Sequence, residues 1–134
     1  MAAPNVAGKY ELANSTGFDE YLKKTGASAE QIEIGKQLKP IIELSKDGEE
    51  WTMKINTEVM NKEIKFKIGQ EFTENTPSGK TIRSTISQQG DKLVQKQIFE
   101  DGFIATVEYT FTPEGAQLNY KWDGGNAQRT YKRL

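Results

Sequence analysis

The sequence predicts an all-β protein in which about ten antiparallel strands form an up-and-down β-barrel. Three observations support this fold class. Turn signals recur about every 10 to 12 residues, the segments between them alternate apolar and polar residues, and two short helical segments follow the first strand. Each turn signal contains a glycine, the residue that tight hairpins favour. The signals lie at 46–48, 77–79, 89–91, 101–102, 113–115 and 123–125.

The two helical segments interrupt the β pattern directly after its first strand. Apolar residues from Phe18 onward follow the i, i+3, i+4 spacing of a helix. Ser28 and Gln31 form a capping-box pair at the start of the second segment. The pattern therefore predicts helices over about 17–25 and 28–38. A helix pair of this size can lie as a lid over one open end of a barrel.

The segments after the helices have the pattern of strands with one apolar and one polar face. Ile64, Phe66 and Ile68 alternate with charged residues, and Val107 and Tyr109 alternate with polar ones. This alternation is typical of an antiparallel sheet with one buried face.

A closed barrel of about ten strands is too wide for its own side chains to fill, so it leaves an internal cavity. The inner faces are mostly apolar, which predicts a mostly apolar ligand. The inward-facing residues expected to line the cavity are Ile55, Ile64, Phe66, Val107, Leu118 and Tyr120. The expected structure is one domain over residues 1–134, with a helix-turn-helix lid over this cavity.

Composition excludes several functional classes. The chain has no cysteine and no histidine, so it lacks the thiolate nucleophile, the common zinc ligands and the most frequent general base. Its 18 basic and 19 acidic residues give a net charge of −1, so no nucleic-acid-binding face is expected. We expect no enzymatic activity, no metal site and no cofactor. With no cysteine and no signal-peptide pattern, the expected location is the cytoplasm. The protein is also expected to be a monomer.

The last strand contains the residue most informative about the ligand. Alternation places Ala127, Arg129 and Tyr131 on one face, and the small and aromatic neighbours indicate that this face points inward. A buried arginine needs a partner because an unpaired buried charge is very costly. The carboxylate of a ligand would satisfy it, and so would an internal carboxylate or ordered water.

Several segments, taken in order along the chain, resemble one known family. They are GKYEL at 8–12, GFDEYL at 17–22, and the segments 61–72, 90–95 and 129–131. In these segments the sequence resembles the intracellular lipid-binding proteins, that is, the fatty-acid-binding proteins and the cellular retinoid-binding proteins. Thr25 departs from the apolar or basic residue that usually ends the N-terminal signature.

The resemblance implies a ten-stranded antiparallel barrel of the clam type with a helix-turn-helix lid. Members of this family carry long-chain fatty acids, retinoids or bile acids through the cytosol, and they are not enzymes. In the fatty-acid-binding branch, two arginines and a tyrosine hold the ligand carboxylate. Arg129 and Tyr131 match the second arginine and the tyrosine.

The position of the family's first arginine is occupied differently here. Depending on the length of the preceding turns, either Tyr109 or Glu108 falls there, and alternation favours Tyr109 because it shares a face with Val107. The expected carboxylate site is therefore Arg129, Tyr131 and Tyr109. The expected function is non-covalent binding and cytosolic transport of long-chain fatty acids. The alternative is a carrier of a neutral lipid or retinoid, because one arginine is missing.

The resemblance also places a ligand entrance between the lid and nearby turns. The residues expected to line this portal are Phe18, Tyr21, Leu22, Ile34, Gly35, Val59, Met60, Pro77 and Ser78. Some family members collect ligand by touching membranes with the lid, so transient membrane contact is a further expectation. Four lysines and four acidic residues leave this lid without net charge, which predicts little simple attraction to anionic lipid. A scaffold in which bound lipid is structural stays open as a third function.

Overall fold

Ten β-strands and two α-helices make up the computed structural model, which describes residues 7–58, 61–76, 79–90 and 92–134. The elements in chain order are β1 (Gly8–Thr16), α1 (Phe18–Lys24), α2 (Ala29–Gln37), β2 (Ile41–Asp47), β3 (Glu50–Asn56), β4 (Asn61–Lys67), β5 (Glu71–Asn75), β6 (Thr81–Gln89), β7 (Lys92–Phe99), β8 (Ile104–Thr112), β9 (Gly115–Trp122) and β10 (Gly125–Arg133).

The strands form one antiparallel sheet that curls into a nearly closed barrel. The strand order is β4-β3-β2-β1-β10-β9-β8-β7-β6-β5, so the pairing of β1 with β10 joins the first strand to the last. All other pairs join strands that follow one another in the chain. β4 and β5 lie at the two ends of this strand order. Their described residues are not paired with each other by backbone hydrogen bonds. The predicted fold class, with a helix pair after the first strand, is confirmed.

A lysine side chain bridges the seam between β4 and β5. Lys62 Nζ on β4 donates a hydrogen bond to the backbone carbonyl of Asn75, 3.2 Å away, and lies 3.7 Å from Glu74 Oε1. The Glu74 side chain is only 6% exposed, whereas that of Lys62 is 32% exposed. The lysine therefore reaches from the seam towards a buried carboxylate.

The two helices begin and end within one residue of the predicted bounds. The chain enters α1 through Gly17, which has a φ of 71°, a region that favours glycine. A Cβ at Gly17 would also lie 3.0 Å from the backbone oxygen of Asn126 on β10. At the start of α2 the predicted capping box is present: the Gln31 amide donates to Ser28 Oγ, and the Ser28 amide donates to Gln31 Oε1.

Apolar side chains pack in two clusters, as the predicted alternation requires. The larger cluster lies inside the barrel and its buried members include Tyr10, Leu44, Trp51, Phe66, Leu93, Val107, Tyr109 and Leu118. The smaller cluster lies where α1 meets the barrel, with Tyr21, Ile82, Phe99, Ala105 and Ala127. The ring centroids of Tyr21 and Tyr120 are 4.8 Å apart, which joins the lid to β9. The lid is therefore part of the packed core.

We predict opposite stability effects for alanine at two glycines. A Cβ at Gly115, the first residue of β9, would lie 1.9 Å from the Tyr131 carbonyl oxygen, so β10 must shift. Such overpacking lowers the free energy of unfolding by about 2 kcal/mol. A Cβ at Gly35 within α2 would meet only the tip of Leu22 at 3.4 Å, so Gly35→Ala stabilises by up to about 1 kcal/mol. Urea unfolding followed by tryptophan fluorescence measures both. A Gly115→Ala protein as stable as the parent would contradict this packing of β10.

Candidate functional site

A cavity of about 210 Å³ lies inside the barrel beneath α1. Five of the six predicted lining residues line it, namely Ile55, Ile64, Phe66, Val107 and Tyr120. The sixth, Leu118, is buried elsewhere, in the packed part of the core with Tyr10, Leu44 and Tyr131. Most of the wall is apolar, so burial of an apolar ligand is its main chemical capability.

Arg129 is a nearly buried cation next to this cavity. It is 7% exposed and lies opposite Ser15 in the pairing of β1 with β10. Its Nε donates to Ser15 Oγ at 3.2 Å, and its Nη1 donates to the Tyr131 hydroxyl at 3.4 Å. No ion pair to Arg129 exists among the residues that the structure describes. The guanidinium is therefore held by neutral hydroxyls and still has N–H donors to offer.

Phe18 separates Arg129 from the main cavity. The guanidinium carbon lies 3.7 Å from the centre of the Phe18 ring, a cation–π contact. Phe18 and Leu22 line both this cavity, called the main cavity because it lies inside the barrel, and a neighbouring pocket of about 380 Å³. Arg129 lines only the neighbouring pocket. The predicted carboxylate residues are therefore divided: Tyr109 lies in the main cavity wall, and Arg129 lies behind Phe18.

A chain of buried hydrogen bonds runs through the wall at Tyr109. The Tyr109 hydroxyl donates to Gln95 Oε1 at 2.6 Å, and Gln95 Nε2 donates to Glu74 Oε2 at 2.9 Å. Ser84 Oγ also donates to Glu74 Oε2, at 2.6 Å. Glu74, Gln95 and Tyr109 all line the cavity. At the expected position of the missing arginine, the protein therefore has a tyrosine connected to a carboxylate.

Sequence reasoning missed this polar group, although a usable signal was present. Glu74 is two residues from Phe72 in β5, and Gln95 is two residues from Leu93 in β7. The period of two places each polar residue on the inward face with its apolar neighbour. Polar residues at inward positions of two strands are the signal that predicts an internal polar site.

The predicted portal residues occupy several different environments. Tyr21 is buried and donates a hydrogen bond to Gln97 Oε1 at 2.6 Å, so it closes the cavity under the lid. Phe18 and Leu22 line the cavity, and Gly35 lines the neighbouring pocket. Ile34 is 46% exposed on α2. Four predicted portal residues lie outside the described residues: Val59, Met60, Pro77 and Ser78.

The lid contains salt bridges that join residues of the same helix. Lys23 lies 3.3 Å from Glu20 in α1, and Lys36 lies 3.5 Å from Glu33 in α2. Exposed pairs of this kind contribute little to stability. Within the described ranges, no helix has the length and apolarity needed to cross a membrane, and no group of three or more acidic side chains could hold a metal ion.

Burial raises the pKa of all five tyrosines above the ordinary value of 10.0, at positions 10, 21, 109, 120 and 131. The Glu74 carboxylate raises the pKa of Tyr21 and Tyr109 further by repelling a phenolate. The Arg129 cation lowers the pKa of Tyr131 and so partly offsets its burial. The interior therefore contains a positive group near Tyr131 and a negative group near Tyr109.

A lidded ten-stranded barrel around a mostly apolar cavity defines a ligand-binding β-barrel protein. A family model described as lipocalin / cytosolic fatty-acid binding protein matches residues 4–108. The chain belongs to this family. The match covers the helices and most of the barrel, and it ends before Arg129 on β10.

Similar proteins match nearly the full length of the chain. A fatty acid-binding protein of Tyrophagus putrescentiae is 35% identical over 94% of this chain and 95% of its own length. A muscle fatty acid-binding protein of Schistocerca gregaria is 37% identical over 92% of each chain. The structure of the Schistosoma mansoni fatty acid binding protein in complex with arachidonic acid superimposes with a TM-score of 0.89, at 28% identity over 96% of this chain and 95% of the other.

The buried tyrosines predict a loss of stability at high pH. Below pH 10 they are neutral in both the folded and unfolded states, so their contribution is complete. Above pH 10 the unfolded state loses protons first, because the folded-state pKa values are raised. Each such tyrosine then lowers the free energy of unfolding by up to about 1.4 kcal/mol per pH unit. Absorbance of tyrosinate and circular dichroism should change together in a titration from pH 9 to 12. Tyrosinate absorbance that rises fully before unfolding would contradict the burial of these rings.

Proposed function

We propose that the protein binds long-chain fatty acids non-covalently and carries them through the cytoplasm as a monomer. The observation that carries this proposal is Arg129, a nearly buried cation without a carboxylate partner among the described residues. A buried cation in contact with hydroxyls is a favourable site for an anion, since charge-assisted hydrogen bonds are the strong ones. The similar fatty acid-binding proteins support the ligand class.

The proposed carboxylate site consists of Arg129 and Tyr131. A carboxylate binds a guanidinium in its plane, through the N–H edge, whereas Phe18 covers one face of the group. The ring and the ligand therefore contact different parts of Arg129. The acyl chain lies against apolar wall residues of the main cavity, and each buried methylene contributes about 0.8 kcal/mol. Phe18 and Leu22 stand between the two pockets, so they contact the bound chain near its head group.

The second candidate function is transport of a neutral lipid or retinoid. The specific observation in its favour is Tyr109, whose hydroxyl is hydrogen-bonded to Gln95 and connected through it to a carboxylate rather than to a cation. A neutral head group needs no second cation, and it suffers no charge repulsion from Glu74. Both candidates use the cavity for binding, and neither requires catalysis by the protein.

A head-group comparison distinguishes the two candidates. We expect delipidated protein to bind oleic acid at least tenfold more tightly than oleyl alcohol, because a hydrogen bond to a charged group contributes about 1.5–3 kcal/mol. Arg129→Gln should remove most of this difference, and Tyr131→Phe should reduce it. Displacement of a fluorescent fatty-acid probe measures the six affinities, those of the two ligands for each of the three proteins.

Arg83→Gln is the matched control, because Arg83 is exposed on β6 and lies away from the cavity wall. It should leave the preference for the acid unchanged. Equal binding of the acid and the alcohol by the parent protein would exclude Arg129 as the carboxylate site and favour the neutral ligand. Failure of both ligands to bind would overturn lipid transport itself.

A further inference from the structure

The Glu74 carboxylate is a polar group inside the cavity that the proposed carboxylate site does not use. Its Oε2 accepts hydrogen bonds from Ser84 Oγ at 2.6 Å and from Gln95 Nε2 at 2.9 Å. In the described part of the chain, Oε1 has Lys62 Nζ as its polar neighbour, at 3.7 Å, which is too far for a hydrogen bond. A carboxylate can accept about four hydrogen bonds, so Glu74 retains accepting capacity on Oε1.

Several hydrogen-bond donors in this part of the wall are already committed to protein acceptors. The Tyr109 proton is committed to Gln95 Oε1, and the Tyr21 proton is committed to Gln97 Oε1. The Gln95 amide group already donates to Glu74. The Lys62 ammonium and the Gln97 amide, which also line the cavity, are donors. A ligand hydroxyl placed here could donate to Glu74 Oε1.

We propose that Glu74, held by Ser84 and Gln95, is a second polar binding site that accepts a hydrogen bond from a hydroxyl group of the bound lipid. The hydroxyl can belong to a hydroxylated acyl chain whose carboxylate lies at Arg129, or it can be the head group of a fatty alcohol. The hydroxylated acyl chain rests on the proposed function, because its carboxylate would lie at Arg129. The fatty alcohol does not. In either case Glu74 determines specificity by favouring a ligand that carries a hydrogen-bond donor.

The Glu74 side chain is buried and is held in position by its neighbours. It is 6% exposed, and the next two strands in the sheet order supply the residues that hold it, Ser84 from β6 and Gln95 from β7. A hydrogen bond to a buried charged acceptor is stronger than one to a neutral group, since the surroundings screen it poorly. We expect a correctly placed ligand hydroxyl to increase affinity about tenfold.

The experiment uses matched lipids on the delipidated full chain. Stearic acid is compared with 12-hydroxystearic acid, palmitic acid with 16-hydroxypalmitic acid, and hexadecanol represents the head-group hydroxyl. Displacement of a fluorescent fatty-acid probe gives each dissociation constant. At least one hydroxy acid should bind about tenfold more tightly than its parent acid. Glu74→Gln should reduce this ratio severalfold, while leaving the affinity for the parent acid equal or higher because a like charge has been removed.

Glu71→Gln is the matched control, because Glu71 is an exposed residue of the same strand. It should change neither the ratio nor the affinities. Glu74→Asp keeps the charge and retracts the oxygens, so it should also lower the ratio, and it serves if Glu74→Gln does not fold. Circular dichroism and the urea midpoint verify folding of each variant.

Each outcome separates this inference from the proposed function. If stearic and palmitic acids bind but no hydroxy acid is preferred, or if the preference survives Glu74→Gln, the Glu74 site is overturned and fatty-acid binding stands. If the parent acids do not bind but hexadecanol binds and weakens with Glu74→Gln, the hydroxyl site stands and the proposed carboxylate site falls. Hexadecanol binding that is unaffected by Glu74→Gln, without acid binding, would overturn both.

Discussion

The pairing of β1 with β10 is the constraint on which the rest of the structure depends. Every other strand pair joins neighbours in the chain, so this one long-range ladder makes a barrel out of a meander. A register shift between Leu12 and Asn14 then sets Ser15 opposite Arg129. β10, which contains Arg129, also contains Ala127 under the lid and Tyr131 in the barrel core. The same strand pairing therefore closes the barrel and positions the candidate carboxylate site.

The seam on the opposite side of the barrel has a different chemical character. β4 and β5 are bridged in the described residues by the Lys62 side chain, which donates to the Asn75 carbonyl and approaches Glu74. A single partly exposed lysine connects two strands less firmly than a ladder of backbone hydrogen bonds. Because Glu74 belongs to this seam and also to the cavity wall, its charge connects the interior to the place where β4 and β5 lack backbone pairing in the described residues.

Much of the fold could be predicted from local sequence patterns. Alternation and turn glycines locate strands because each pattern has a direct local cause, and the helix bounds follow from spacing and capping around Phe18 and Ser28. Alternation also placed Tyr109 and Leu118 on the inward face, where the structure has them. It could not say how far along the barrel each lies, since that depends on register. For this reason Leu118 lies in the packed core and not in the cavity wall.

The interior polar site was less predictable, because its members come from separate strands. Ser84, Gln95 and Glu74 lie on β6, β7 and β5, and their contacts depend on the register of two hairpins. The division between Arg129 and the main cavity likewise depends on how α1 packs, because the Phe18 ring occupies the face of the guanidinium. Sequence periodicity identifies which side chains point inward, but only the assembled barrel determines which of them meet.

The two interior charges have a consequence that apolar burial alone lacks. Burial of a methylene chain is non-directional, so it fixes affinity but not which end of the ligand lies where. In the proposed binding mode, Arg129 on β10 attracts the ligand anion, and Glu74 on β5, which lies 3.7 Å from Lys62, accepts a hydrogen bond. Tyr109 reaches Glu74 only through Gln95, so it leaves Glu74 Oε1 able to accept a hydrogen bond. The two proposed sites would therefore give the bound lipid a direction, with its carboxylate at Arg129 and its hydroxyl at Glu74.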